Sequence, residues 1–380
     1  MKILSKATAG TFLFTVVMGS GINTVSAASL YSITDLGSLV GSDYSYATDI
    51  NNFGQVIFDS GKGSSNGSPD RAFLYTNDQV TEIKPLSGDS DIAVTSINNF
   101  GQVVGNSVNE NNFTGNNPLL YSQGRTQSLV ALNNAIPYAI NDKGEIVGGA
   151  QKNGPFLYKN GTVVNFGTEG TVAYDINNQS QVVGILNTNK AFLYQNGTTT
   201  ALGTLPGDNY SSAEGINDKG QVVGVSAPTS ISNGQAFLYS SSTNLINLGR
   251  LFPTDLYSVA LDINNNGQVI GFSGSNPNFY SNSGIGIRAF LYSDGILQDL
   301  NSLISRDSGF TITQARAIND QGQIVGAATF NGQLRAVVLT PESVSTPVPE
   351  PSTSAGLGLF LTALGCSKFI QEKLKKKIAA

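Results

Sequence analysis

Apolar residues come in short runs along this chain, each broken within a few positions by Asn, Gly, Asp or Ser. Runs such as Gln-Val-Val-Gly at 221–224 and Ala-Phe-Leu-Tyr at 236–239 are rich in Val, Phe and Tyr. These side chains suit a pleated, half-buried surface. Between the two ends no window places its apolar residues at a helical period, so strands are expected throughout. One phrase, Ile-Asn-x-x-Gly-Gln-Val-Val-Gly, returns seven times with small changes. Its Asn falls at Asn51, Asn98, Asn141, Asn177, Asn217, Asn264 and Asn319. An Ala-Phe-Leu-Tyr phrase follows each copy, at 72–75, 118–121, 155–158, 191–194, 236–239, 289–292 and 336–339. A further strand ending near Leu-Gly comes next, clearest at Leu202-Gly203 and Leu248-Gly249.

Each unit therefore reads as four short strands. Asn-Asp-Lys-Gly or a relative of it joins the first two. Asn and Asp side chains satisfy turn backbone, and Gly supplies positive φ. Asn160-Gly161 and Asn196-Gly197 mark the turn between strands three and four. Four strands per unit is the arithmetic of a β-propeller blade. Tyr31–Gly37 is a fourth strand with no blade before it, and the last unit ends at Leu339 without one. The first strand can complete the last blade, giving a closed seven-bladed ring with no free sheet edge. The expected class is thus all-β, a seven-bladed propeller over 30–341 closed by its N-terminal strand.

The first strand of each unit should be innermost. Five units carry Ala three residues before the Ile: Ala47, Ala173, Ala213, Ala260 and Ala315. The residue just before the Ile is Asp49, Ser96, Ala139, Asp175, Gly215, Asp262 or Ala317. Period-2 geometry puts these two positions on one strand face, and their small size suits the crowded centre of a ring.

The ends read as addresses. Residues 1–27 have a basic start (Lys2, Lys6), an apolar stretch at Thr11–Met18 and small residues Val25, Ser26 and Ala27 at the cleavage position, the order of a secretory signal. Residues 342–351 form a Pro-rich linker. Ala355–Cys366 is apolar but shorter than the roughly 20 residues of a membrane helix. Lys368, Lys373, Lys375, Lys376 and Lys377 follow. The motif Val348, Pro349, Glu350, Pro351, the apolar run and the basic end together resemble a PEP-CTERM sorting signal over 348–380. The resemblance implies a C-terminal sorting helix, transient membrane association, recognition by an exosortase-type processing protease, and residence at the cell surface or in the extracellular matrix of a Gram-negative bacterium.

The repeat itself, with Ala-Phe-Leu-Tyr and Leu202-Gly203-Thr204-Leu205-Pro206-Gly207, resembles the HAF family of extracellular repeats over about residues 31–340. The family's characteristic His is missing from every copy, so no role for it carries over.

Composition narrows the chemistry. With no His and one Cys in 380 residues, the chain has no imidazole catalysis, no internal disulfide and no thiolate metal cluster. Removing 1–27 and everything after Pro351 takes away seven Lys and one Glu. The net charge then moves from −5 to −11, against nucleic acid as a partner.

Asp262-Ile263-Asn264-Asn265-Asn266-Gly267 matches half of a calcium loop, but its twelfth position is Ser273 rather than Glu. A hairpin turn is the preferred reading. Asp49, Asp175 and Asp262 could instead line one mouth and hold a cation, so calcium is the one cofactor left open. Glu214 replaces Thr, Tyr, Leu or Arg of other units but shows no partner for glycosidase chemistry, which needs two facing carboxylates. The longest insertions, where binding surfaces concentrate, are Asp59–Asp70, Ser107–Asn117, Ser273–Gly286 and Ser302–Thr311. The expected function is a secreted structural or glycan-binding module for extracellular polysaccharide. A carbohydrate-active hydrolase or lyase with a channel carboxylate pair, and a protein–protein scaffold, are the alternatives.

Overall fold

The computed structural model describes residues 30–62, 70–109, 117–132, 134–150, 154–229, 233–275 and 286–342. The signal segment with Val25, Ser26 and Ala27, the sorting motif Val348, Pro349, Glu350 and Pro351, and Cys366 lie outside these residues. So does most of the first three long insertions.

Seven four-stranded antiparallel sheets make up the described chain. Blade 5 shows the pattern: Tyr210–Ile216, Val222–Ala227, Gln235–Ser240 and Asn244–Gly249 pair in sequence order. The first strands of all seven blades contact one another round the full circle, which makes them the inner wall. Asn160 and Gly161 have φ of 50° and 78°, Asn196 and Gly197 50° and 79°. Two successive positive φ values match the twist of the flanking strands, as the Asn-Gly pairs lead one to expect.

The ring closes as the sequence implies. Tyr31–Asp35 pairs antiparallel with Gln333–Pro341, in register from Tyr31↔Pro341 to Asp35↔Val337. Blade 7 is thus built from both ends of the propeller. Leu36 N–H donates to Ala336 O at 2.9 Å, and Ala336 N–H donates to Ser45 Oγ of blade 1 at 2.9 Å.

Apolar side chains bury between blades rather than within them. Between blades 4 and 5, Val183, Ala191 and Leu193 meet Ala213, Ile216, Val222 and Phe237. The same set of positions recurs at the other six boundaries. Burying one Ile or Phe is worth roughly 1.5–3 kcal/mol, so seven such seams hold the ring without disulfides. Six blades carry a Gly at the third position of the second strand, among them Gly184, Gly224 and Gly271. A Cβ at Gly184 would overlap the carbonyl oxygen of Val172, and at Gly224 that of Ser212. The first strand lies too close there for any side chain.

One expectation fails. All seven inner strands bulge one residue before the Asp49-type position, as at Ala47/Asp49 and Ala173/Asp175. The extra residue turns the two positions to opposite faces. Ala47 and Ile50 of blade 1 pack toward blade 7, where they meet Ala317. Asp49 points the other way, to Ile97 of blade 2.

Candidate functional site

The seven Asn turns converge at one mouth of the ring. Asn177 shows the local chemistry. Its Oδ1 accepts from the N–H groups of Gln179 at 3.0 Å and Gln181 at 2.9 Å, closing the turn between the first two strands. Its Nδ2 donates to Gln181 Oε1 at 2.7 Å and to the carbonyl of Asn217 in the next blade at 3.0 Å. All seven Asn make this bridge between blades, at 2.9–3.1 Å. The buried Asn amide is thereby fully satisfied, and every copy supports its neighbour.

A second ring lies beside the first. The residue after each Asn is Asn52, Asn99, Asp142, Asn178, Asp218, Asn265 or Asp320. Its N–H donates to the Oδ1 of the same position in the next blade, at 2.8–2.9 Å. Side-chain amides then reach the carboxylates. Asp142 Oδ2 accepts from Asn99 and Asn178, and Asp320 Oδ2 accepts from Asn52 and Asn265. Asn178 also donates to Asp218 Oδ2. Ile and Asn of each turn, with these ring residues, line a cavity of about 160 Å³.

Just inside the mouth sit Asp49, Asp175 and Asp262. Each carboxylate accepts two main-chain N–H groups, one from its own blade and one from the next. Asp49 takes Ile50 at 2.7 Å and Ile97 at 2.9 Å. Asp175 takes Ile176 and Ile216, and Asp262 takes Ile263 and Ile318. Burial disfavours their charged forms and outweighs these donors. Asp49 and Asp175 are pushed up to about 7 and Asp262 to about 6. The charge of Asp262 adds to the rise at the other two.

These carboxylates staple blades together. The cation site expected from Asp49, Asp175 and Asp262 does not form as a converging set: among the described residues no three Asp, Glu or Cys side chains come within reach of one metal ion. The calcium-loop match at 262–267 is likewise a turn, since Asn264 Oδ1 is occupied by the N–H groups of Asn266 and Gln268. Gly215 has no staple because a Cβ there would lie 2.8 Å from Leu261 O.

Glu214 occupies the bulge of blade 5 and accepts from Ser212 Oγ at 2.6 Å. Burial raises it and Ser212 lowers it, with no second carboxylate acting on it. Among the described residues the carboxylate pair of a glycosidase is not assembled around it. In blade 7 the bulge residue is Arg316, whose guanidinium lies over the ring of Tyr46 at 5.2 Å.

The side chains missed in the sequence stand on the mouth's rim. Phe53 and Phe100 occupy the third turn position in blades 1 and 2, each with 74% of its surface exposed. Five units have Lys143, Gln179, Lys219, Asn266 or Gln321 there. An apolar residue twice at a turn tip was visible once the repeats were aligned. So was the run of Asn and Asp in the preceding position.

The closed ring of seven four-stranded blades is that of a β-propeller. Residues 160–343 match the model of a family described as a protein of unknown function (DUF3466). No curated protein matches the chain. Among solved structures, the chain is similar to the β-propeller domain of the Trilobed protease from Pyrococcus furiosus. The identity is 11%, over 79% of this chain and 96% of that one, with a TM-score of 0.52. That domain is described as having an open velcro topology, whereas here the ring is closed by Tyr31–Asp35. The putative TolB from Agrobacterium tumefaciens aligns at 10% identity over 78% of this chain and 91% of its own, with a TM-score of 0.41.

Proposed function

We propose that this protein is a secreted, non-catalytic β-propeller that binds carbohydrate at the Asn- and Asp-lined mouth. The observation that carries the reading is the pair Phe53 and Phe100, solvent-exposed at the turn tips that directly follow Asn52 and Asn99 of a polar cavity's lining. Exposed aromatic faces beside amides and carboxylates offer a sugar what it needs: a flat apolar surface for its C–H face and acceptors for its hydroxyls. The resemblance of 1–27 to a secretory signal, of 348–380 to a PEP-CTERM signal and of the repeats to the HAF family supports an extracellular setting with exosortase-type processing. Extracellular polysaccharide is the partner class.

Retention on a glycan array tests the reading. Covering each phenyl face contributes roughly 1 kcal/mol, so the double variant Phe53→Ala, Phe100→Ala should bind about thirtyfold more weakly. An unchanged double variant, or no retention on any polysaccharide, would refute it. The mass of the protein recovered outside the cell tests the processing. A species lacking residues 1–27 and the Lys-rich tail is expected, and a retained tail would contradict exosortase removal.

A further inference from the structure

We infer that the glycan recognised at this mouth is a polymer of amino sugars carrying free, protonated amines. The inference rests on the carbohydrate reading above and names its ligand class. Phe53 and Phe100 have their rings exposed. An aromatic face carries partial negative charge and attracts a cation as well as a C–H surface. The nearest ring carboxylates flank the pair on both sides. Asp320 accepts from Asn52 Nδ2 at 2.9 Å, and Asp142 accepts from Asn99 Nδ2 at 2.9 Å. Asn52 and Asn99 are the residues immediately before the two phenylalanines, so the turn that carries each aromatic is tied to one carboxylate.

The cations of the mouth are placed elsewhere. Lys143, on the tip next to Phe100, donates Nζ to Ser180 Oγ of blade 4 at 3.0 Å, away from blade 2. Lys219 belongs to blade 5, and the tips on the other side of Phe53 are the uncharged Asn266 and Gln321. The rim around the aromatic pair is therefore acidic and apolar together. A neutral sugar would use the phenyl faces and the amides alone. An ammonium on the sugar uses the carboxylates too, through charge-assisted hydrogen bonds that are shorter and stronger than neutral ones. An acetylated amine forfeits that charge.

Calorimetric titration of the purified full chain tests this. The probes are a glucosamine oligomer, its N-acetylated counterpart of equal length, a neutral glucan oligomer and a lysine oligomer. The pH is held near 6, below the range around 8 where an amine beside an electron-withdrawing group, such as an α-amino group, releases its proton. The glucosamine oligomer should bind at least tenfold more tightly than the acetylated one. Asp142→Asn, Asp320→Asn should bring the two within about threefold. For the wild-type chain, raising salt to about 1 M should shrink the preference likewise, a measurement that holds even if the double variant fails to fold. Equal or tighter binding of the acetylated oligomer would overturn the inference. A lysine oligomer bound as tightly, without dependence on Phe53 and Phe100, would do the same by assigning the site to basic peptides. Binding of neutral and acetylated sugars alone would sink the amino-sugar class and leave the carbohydrate reading standing. Silence from every saccharide would end both.

Discussion

Asn319 of the last blade donates its side-chain amide to the main-chain carbonyl of Asn51 in the first, at 3.1 Å across 268 positions of sequence. The bond is one of seven equivalents, yet it joins the last blade to the first. Asn319 also accepts from the N–H groups of Gln321 and Gln323 and donates to Gln323 Oε1. Asn319→Ala leaves those buried groups unpaired and should cost about 2–4 kcal/mol, read as a lower urea midpoint. Asn319→Asp keeps the acceptors but turns a carboxylate toward a carbonyl, so it should be destabilised too. A midpoint unchanged in both variants would mean the ring bonds carry no net stability.

The seam between Tyr31–Asp35 and Gln333–Pro341 gives a second test. Ser32 lies opposite Thr340 in the antiparallel register, a separation that suits a disulfide. Ser32→Cys, Thr340→Cys, in a Cys366→Ser background, should stabilise the oxidised protein by about 2–4 kcal/mol. The gain should vanish on reduction. A formed bond with no rise in Tm would indicate that the ring does not open at this seam when it unfolds.

Two glycines should behave differently. Gly184→Ala places its methyl group against Val172 O, so the inner strand must move. The cost should exceed about 2 kcal/mol. Gly197→Ala meets nothing within 4 Å and pays only for its φ of 79°, about 1 kcal/mol. Chemical denaturation of the two variants side by side checks the order.

The half-buried aspartates of the inner strands make stability depend on pH. In the native ring Asp49 and Asp175 hold their protons up to about 7 and Asp262 up to about 6, against 3.8 for an ordinary Asp. Above that ordinary value the unfolded chain binds fewer protons than the native one, so stability falls as pH rises. The contribution is fully present below the ordinary range and is lost as pH climbs through 6 to 7. Asp59 and Glu214, also raised by burial, act in the same sense. Glu82 and Glu145 are held below their ordinary value, so their effect falls at lower pH and does not cancel this one. Thermal melts should show a Tm at least about 4 °C lower at about pH 8 than at about pH 5. Asp49→Asn, whose amide cannot ionise, should narrow that difference. A flat Tm profile for the parent protein would refute the linkage.

The repeat made the blade count, the strand order and the closing role of Tyr31–Asp35 legible, because one phrase recurring seven times fixes the unit and exposes the unmatched strand at each end. The inner-strand bulge was hidden. Counting by twos placed Ala47 and Asp49 on one face, but the tight twist near the axis inserts a residue that leaves no mark of its own. The role of the aspartates was hidden for a related reason. Their second partner, such as Ile216 for Asp175, belongs to another blade, and no spacing within one unit announces a bond between units. Phe53 and Phe100 were readable as departures from the turn chemistry of the other five copies.

The ring of Asn52, Asn99, Asp142, Asn178, Asp218, Asn265 and Asp320 has a further consequence, which is one of parity. Carboxamide and carboxylate can alternate round a circle only when it has an even number of seats, and this one has seven. One like pair is unavoidable, and it is Asn52 beside Asn99. Their amides part company there, Asn52 Nδ2 turning back to Asp320 and Asn99 Nδ2 forward to Asp142. A ring of six or eight blades would have no such gap in its alternation. Here the arithmetic of an odd circle singles out one seam, and the two residues that follow its paired asparagines are Phe53 and Phe100.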